Sequence, residues 1–82
     1  MSDTNASPLA GLLKLEEYQQ QRAHMFPGLE SLRWYMRNHR AGLQQAGALL
    51  YIAGRLWVDP TRFDAQVLDA GRQAAQRQRE AA

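Results

Sequence analysis

The 82-residue chain contains no cysteine. No disulfide can staple it, and no thiolate is available as a zinc ligand or a nucleophile. That composition suits a reducing cytoplasm. Proline and glycine are sparse, at three and six residues, and no glycine-rich stretch matches a phosphate-cradling loop. Long apolar runs are missing too; none approaches the ~20 residues that cross a bilayer. The opening MSDTNASP carries an acid and no basic apolar run, unlike a secretory leader. The two histidines, His24 and His39, have no second histidine or carboxylate at a ligand spacing, so no metal and no cofactor is expected. Ser2, Ser7 and Ser31 lack a base at a recognisable spacing, and the adjacent Glu16 and Glu17 point to different sides of a helix. A chain this short makes one domain and buries only ~60–65% of its unfolded surface. It has little material for a pocket with a supporting shell. An enzyme, a small-molecule substrate and a membrane are therefore not expected.

Cations are present, and they are placed unevenly. Lys14 is the only lysine; the other nine are arginine, the better bidentate partner for phosphate and guanine. Residues 1–24 carry a net −1, residues 25–58 a net +3 and residues 59–82 a net 0. The excess centres on residues 26–40, FPGLESLRWYMRNHR. At about 100° per residue, Leu29, Leu32, Tyr35, Met36 and His39 fall on one side of a helix. Glu30, Arg33, Trp34, Arg37 and Asn38 fall on the other, with Arg40 near the boundary. One side suits a core. The other suits phosphates and base edges, or is simply a solvated basic face.

The elements follow in order. Residues 1–7 read as a disordered tail, 8–76 as a single domain and 77–82 as a frayed end. The apolar segment 8–13 adds a short strand or docks. Residues 14–23 form a first helix, with Leu15 and Tyr18 inward and Arg22 close to that stripe. Pro27 pushes Phe26 out of helical geometry and Phe26 packs back as a staple, so a short turn precedes a second helix over 28–40. Residues 41–47 read as a connector in which Leu43 plugs the core and Gly42 and Gly47 let the chain turn. Residues 49–53 and 55–59 make a β-hairpin centred on Gly54. Asp59 caps a last helix begun by Pro60, whose stripe is Phe63, Val67, Ala70 and Ala74.

Helix, turn, helix, hairpin, helix is the order of a mainly α fold with a small β-hairpin, a winged helix-turn-helix. Residues 26–63 resemble the small excisionase and AlpA-like proteins of the MerR-type winged-helix group. The resemblance rests on Leu32-Arg33 and Tyr35-Met36 at the recognition-helix pattern, residues 48–58 at the wing, and Asp59 and Phe63 at the closing helix. The segment 13–17, LKLEE, is similar to that group's entry into its first helix. Arg55 is the only cation in the wing, fewer than that group's pattern leads one to expect.

The resemblance implies a sequence-specific double-stranded DNA-binding protein of the bacterial cytoplasm and nucleoid. Its role would be a recombination directionality factor or a transcription regulator of a mobile genetic element. The candidate DNA-binding residues are Ser31, Arg33, Trp34, Arg37, Asn38, Arg40 and Arg55. Copies binding side by side, and an integrase or another regulator, are the expected protein partners. Trp34 either meets sugar and thymine methyl groups, packs under the closing helix or touches a second copy. Trp57 alternates with Leu56 and Val58 and is either buried or a protein contact. The other class of function is a protein-interaction module, an antirepressor or inhibitor, that has lost DNA. The plainer reading of the arginines is a surface pairing of Arg33 or Arg37 with Glu30, worth less than ~1 kcal/mol.

Overall fold

The computed structural model describes residues 9–81. The expected tail, residues 1–7, lies outside them. Six elements follow one another: α1 Leu15–Gln21, α2 Leu29–Asn38, α3 Arg40–Gln45, β1 Leu49–Ile52, β2 Arg55–Val58 and α4 Pro60–Ala81. The chain is mainly helical with one two-stranded antiparallel hairpin, an order compatible with a helix-turn-helix-wing layout.

α1 starts where the Glu17 carboxylate accepts a bond from the Lys14 backbone N–H at 2.9 Å. It stops two residues before the expected Ala23. The Phe26 and Met25 N–H groups both donate to the Arg22 carbonyl, at 2.8 and 2.9 Å. Gln19 Nε2 also donates to the Phe26 carbonyl at 2.8 Å. Those bonds fold the chain into a turn ahead of Pro27. Phe26 itself is buried, edge-on to Tyr35 at 5.4 Å between ring centroids.

α2 buries the side that its periodicity marks out. Leu32 and Met36 are buried, and Leu29, Tyr35 and His39 are half-buried. The helix does not run to Arg40 as expected. It ends at Asn38, because His39 adopts φ −129° and ψ 24°. Arg40 then opens α3, so most of the expected connector 41–47 is helix. Ala41, Leu43, Gln44 and Gln45 are all compatible with helix, which is why composition alone does not mark the break. Leu43 is fully buried, as the connector reading required.

α3 ends in a Schellman motif. Ala48 N–H bonds the Leu43 carbonyl at 2.9 Å and Gly47 N–H bonds the Gln44 carbonyl at 3.1 Å. Gly47 supplies the left-handed residue at φ +76°. The hydrophobic pair that accompanies such a motif is here Leu43 and Ala48, both fully buried.

The hairpin pairs Leu49 with Val58, Leu50 with Trp57, Tyr51 with Leu56 and Ile52 with Arg55. Ala53 and Gly54 turn it with φ of 53° and 78°, the two positive values of a type I′ turn. Two strands alone are marginal. Here Leu13 adds a rung on the free edge of β2, exchanging both backbone bonds with Val58 at 2.9 and 2.8 Å. The apolar segment before α1 thus joins the sheet.

Asp59 caps α4, accepting from the Arg62 N–H at 3.2 Å through Oδ1. Phe63 is fully buried and stacks obliquely on Tyr18 at 4.6 Å. The expected stripe weakens outward: Val67 and Ala70 are half-buried, whereas Ala74 is exposed. Residues 71–79 are all exposed, and α4 continues past Gln76 to Ala81. Alanine, glutamine and arginine dominate that end and favour helix without a core. The projecting helix stretches the molecule to 52 × 28 × 23 Å. No described helix is long and apolar enough to cross a membrane.

Candidate nucleic-acid interface

The outer face of α2 is assembled by its inner one. With Leu32 and Met36 locked in the core, Arg33, Trp34, Arg37 and Asn38 must point outward, and all four are exposed. Trp34 is 58% exposed, so it does not pack under α4. Arg33 reaches Glu30 through Nη1 at only 3.7 Å, a long surface contact. Among the described residues, Arg37 and Arg40 have no ion-pair partner.

The other expected site residues divide. Arg40 is exposed but leaves on α3, beyond the break at His39. Asn38 donates from Nδ2 to the Trp34 carbonyl at 2.8 Å, closing its own helix. One of its two amide N–H donors is thus engaged locally, which leaves the other N–H and the carbonyl oxygen to face outward. Ser31 is half-buried and holds the start of α2: its Oγ donates to the Gly28 carbonyl at 2.7 Å and accepts from the Gly28 N–H at 3.3 Å. Arg55 is exposed at the start of β2. Trp57 is half-buried, but it is not among the side chains that pack against the core. It borders a cleft of about 520 Å³ with Lys14, Arg33 and Arg55. On its other side it borders a smaller apolar groove with Leu12 and Ile52.

His39 stacks on Tyr35 at 4.1 Å between centroids, a helix-end residue at the edge of the core. Among the described residues, no three histidine, cysteine or acidic groups gather where a metal ion could be held.

A cluster not apparent from sequence ties the α1 end of the domain to α4. Tyr18 Oη donates to Asp64 Oδ1 at 2.6 Å, and Arg22 bonds both oxygens of the same carboxylate. Arg22 also lies 4.8 Å from the centre of the Tyr18 ring. The hydrogen bonds from Arg22 hold the Asp64 carboxyl below the usual range. Burial, then the neighbouring carboxylate, push the Tyr18 phenol upward. Burial also raises Tyr35. The residues of this pair stand 42 positions apart, and no local spacing reveals them. The one signal was Arg22 lying close to an apolar stripe, where a cation needs a partner.

No family model, curated protein or solved structure matches the chain.

Proposed function

We propose that this chain is a sequence-specific double-stranded DNA-binding protein of winged helix-turn-helix type. In this reading α1, the turn at 22–28 and α2 form the helix-turn-helix, the hairpin is the wing and α4 closes the domain. α2 enters the major groove. Its ten residues rise about 15 Å, against a groove ~12 Å wide. The role is that of a recombination directionality factor or a transcription regulator of a mobile genetic element in the bacterial cytoplasm. Neither role needs chemistry from the protein. Copies on neighbouring sites bend the DNA or block a promoter.

The observation that carries the reading is the outer face of α2. Arg33, Trp34 and Arg37 are displayed together on a helix whose other side is anchored, and among the described residues no tight ion pair neutralises the arginines. Arg33 and Arg37 suit guanine edges or phosphates, and Trp34 suits sugar or a thymine methyl. Ser31 and Asn38 also support this helix from its two ends, and Asn38 keeps one amide N–H and its carbonyl oxygen for a base or phosphate.

One observation favours a protein partner instead. An indole 58% exposed at the centre of a surface is also the residue type most enriched at protein-binding hot spots. Capture of genomic fragments under excess nonspecific competitor decides between the two. Retained fragments that map to discrete sites beside an integrase gene or a promoter support the DNA reading. A folded protein that retains none at low salt contradicts it and directs attention to Trp34 as a protein contact.

A further inference from the structure

Arg33 belongs to two surfaces. Besides the outer face of α2, it lines the cleft of about 520 Å³ that opens between α1, α2 and β2. Lys14 enters this cleft from the residue before α1, and Arg55 enters it from the first position of β2. Leu15 and Trp57 supply apolar lining, and Glu16 is the one acid. Three cations against one carboxylate leave the cleft with a net charge of +2. Among the described residues, Lys14 and Arg55 have no ion pair, and Arg33 has only its long contact with Glu30.

The combination is selective for more than charge. Ammonium and guanidinium groups suit phosphate oxygens. An indole beside them suits the apolar faces of sugars and bases that alternate with those phosphates. A free phosphate would leave the apolar lining unused. The residues come from positions 14, 33 and 55–57, so the cleft exists only in the folded chain.

We propose that this cleft seats a stretch of DNA sugar–phosphate backbone, with Lys14, Arg33 and Arg55 toward its phosphates and Trp57 against its deoxyribose. The inference rests on α2 being the DNA-reading helix. Arg33 is the hinge: a duplex engaged by α2 runs one flanking strand past it into the cleft. The hairpin then contributes through Arg55, next to its turn, and through Trp57, which explains how a wing with a single cation can hold DNA.

The test uses the full chain and a generic duplex at low salt, where binding is driven by phosphate contacts. Binding is followed by anisotropy of the labelled duplex and, in the Trp34→Phe variant, by emission from Trp57 alone. The expected result is a Trp57 signal that changes along the same curve as the anisotropy. Inorganic phosphate at equal phosphate concentration leaves that signal unchanged. In the otherwise natural chain, Lys14→Ala and Arg55→Ala each weaken binding about eightfold at 0.1 M salt and lower the salt slope by about 0.9. Glu16→Gln tightens binding. These three side chains are exposed, so the variants leave the core intact. Duplex binding with an unchanged affinity and salt slope in Lys14→Ala and Arg55→Ala overturns the cleft and leaves the α2 reading standing. A Trp57 signal that inorganic phosphate reproduces makes the cleft a simple anion site and overturns the backbone seat. Absence of duplex binding in the folded natural chain overturns both.

Discussion

Arg22 grips Asp64 with a two-pronged contact, Nε to Oδ1 at 2.9 Å and Nη2 to Oδ2 at 2.6 Å. This contact ties α1, near the start of the domain, to the first turns of α4. Tyr18 completes it through its hydroxyl. The carboxylate is 40% exposed, so solvent screens the pair. Its geometry and three donors still make it stronger than an ordinary surface pair.

Asp64→Asn is expected to destabilise the fold by about 1 kcal/mol, measured as a lower urea midpoint at neutral pH. Asp64 has a native pKa below its unfolded one, so the folded state binds fewer protons in that window. Its contribution is complete above the ordinary carboxylate range and is lost as pH falls through the native value. The natural chain should therefore lose stability below about pH 4, and Asp64→Asn should show a shallower loss. Equal acid sensitivity in both chains would show that other carboxylates govern it.

Gly47 combines two constraints. Its φ is +76°, and a Cβ placed there would lie 3.1 Å from Arg62 Nη1. Gly47→Ala should lower stability by about 1–2 kcal/mol, read from chemical denaturation, mostly through the backbone. Arg62 can swing aside, so removing it in a double variant should recover only a small part of the loss.

Ala53 is the opposite case, a residue with a side chain where a type I′ turn favours asparagine or glycine. Ala53→Asn should raise stability by about 0.5–1 kcal/mol. The position is exposed, and thermal unfolding gives the answer directly. A lower melting temperature would mean that the turn is not held in this conformation in solution.

Much of this architecture is legible in the sequence because it depends on neighbours. The inner and outer faces of α2 follow from its 3.6-residue period. Gly54 and the Asp59-Pro60 pair announce the hairpin turn and the start of α4. What is hidden depends on distant residues or on one backbone angle. The break at His39 has no proline or glycine to mark it, so α2 and α3 read as a helix and a connector. The Arg22–Asp64 contact and the gathering of Lys14, Arg33, Arg55 and Trp57 exist only after folding. Asn38 has a second use that its spacing does not show: one of its amide N–H groups bonds the Trp34 carbonyl. The far end of α4 shows that favourable propensity can extend a helix after its apolar stripe has ended.

Asn38→Ala separates those two uses. With one amide N–H on the Trp34 carbonyl, the change should weaken the end of α2 by about 0.5–1 kcal/mol. It should not relax preference at any single base pair in a panel of duplex sites. A selective loss of discrimination at an A·T pair would show instead that Asn38 turns to the DNA.

The most direct test of the DNA-binding proposal is the salt dependence of duplex binding, compared between the natural chain and Arg37→Ala. Arg37 is exposed on the outer face of α2, without an ion pair among the described residues, and its removal leaves the core untouched. The expected result is steep salt dependence in the natural chain and a slope shallower by about 0.9 in Arg37→Ala if the guanidinium meets one phosphate. A folded natural chain that binds no duplex at low salt, or binds it with the same affinity and slope as Arg37→Ala, would contradict α2 as the helix that enters DNA.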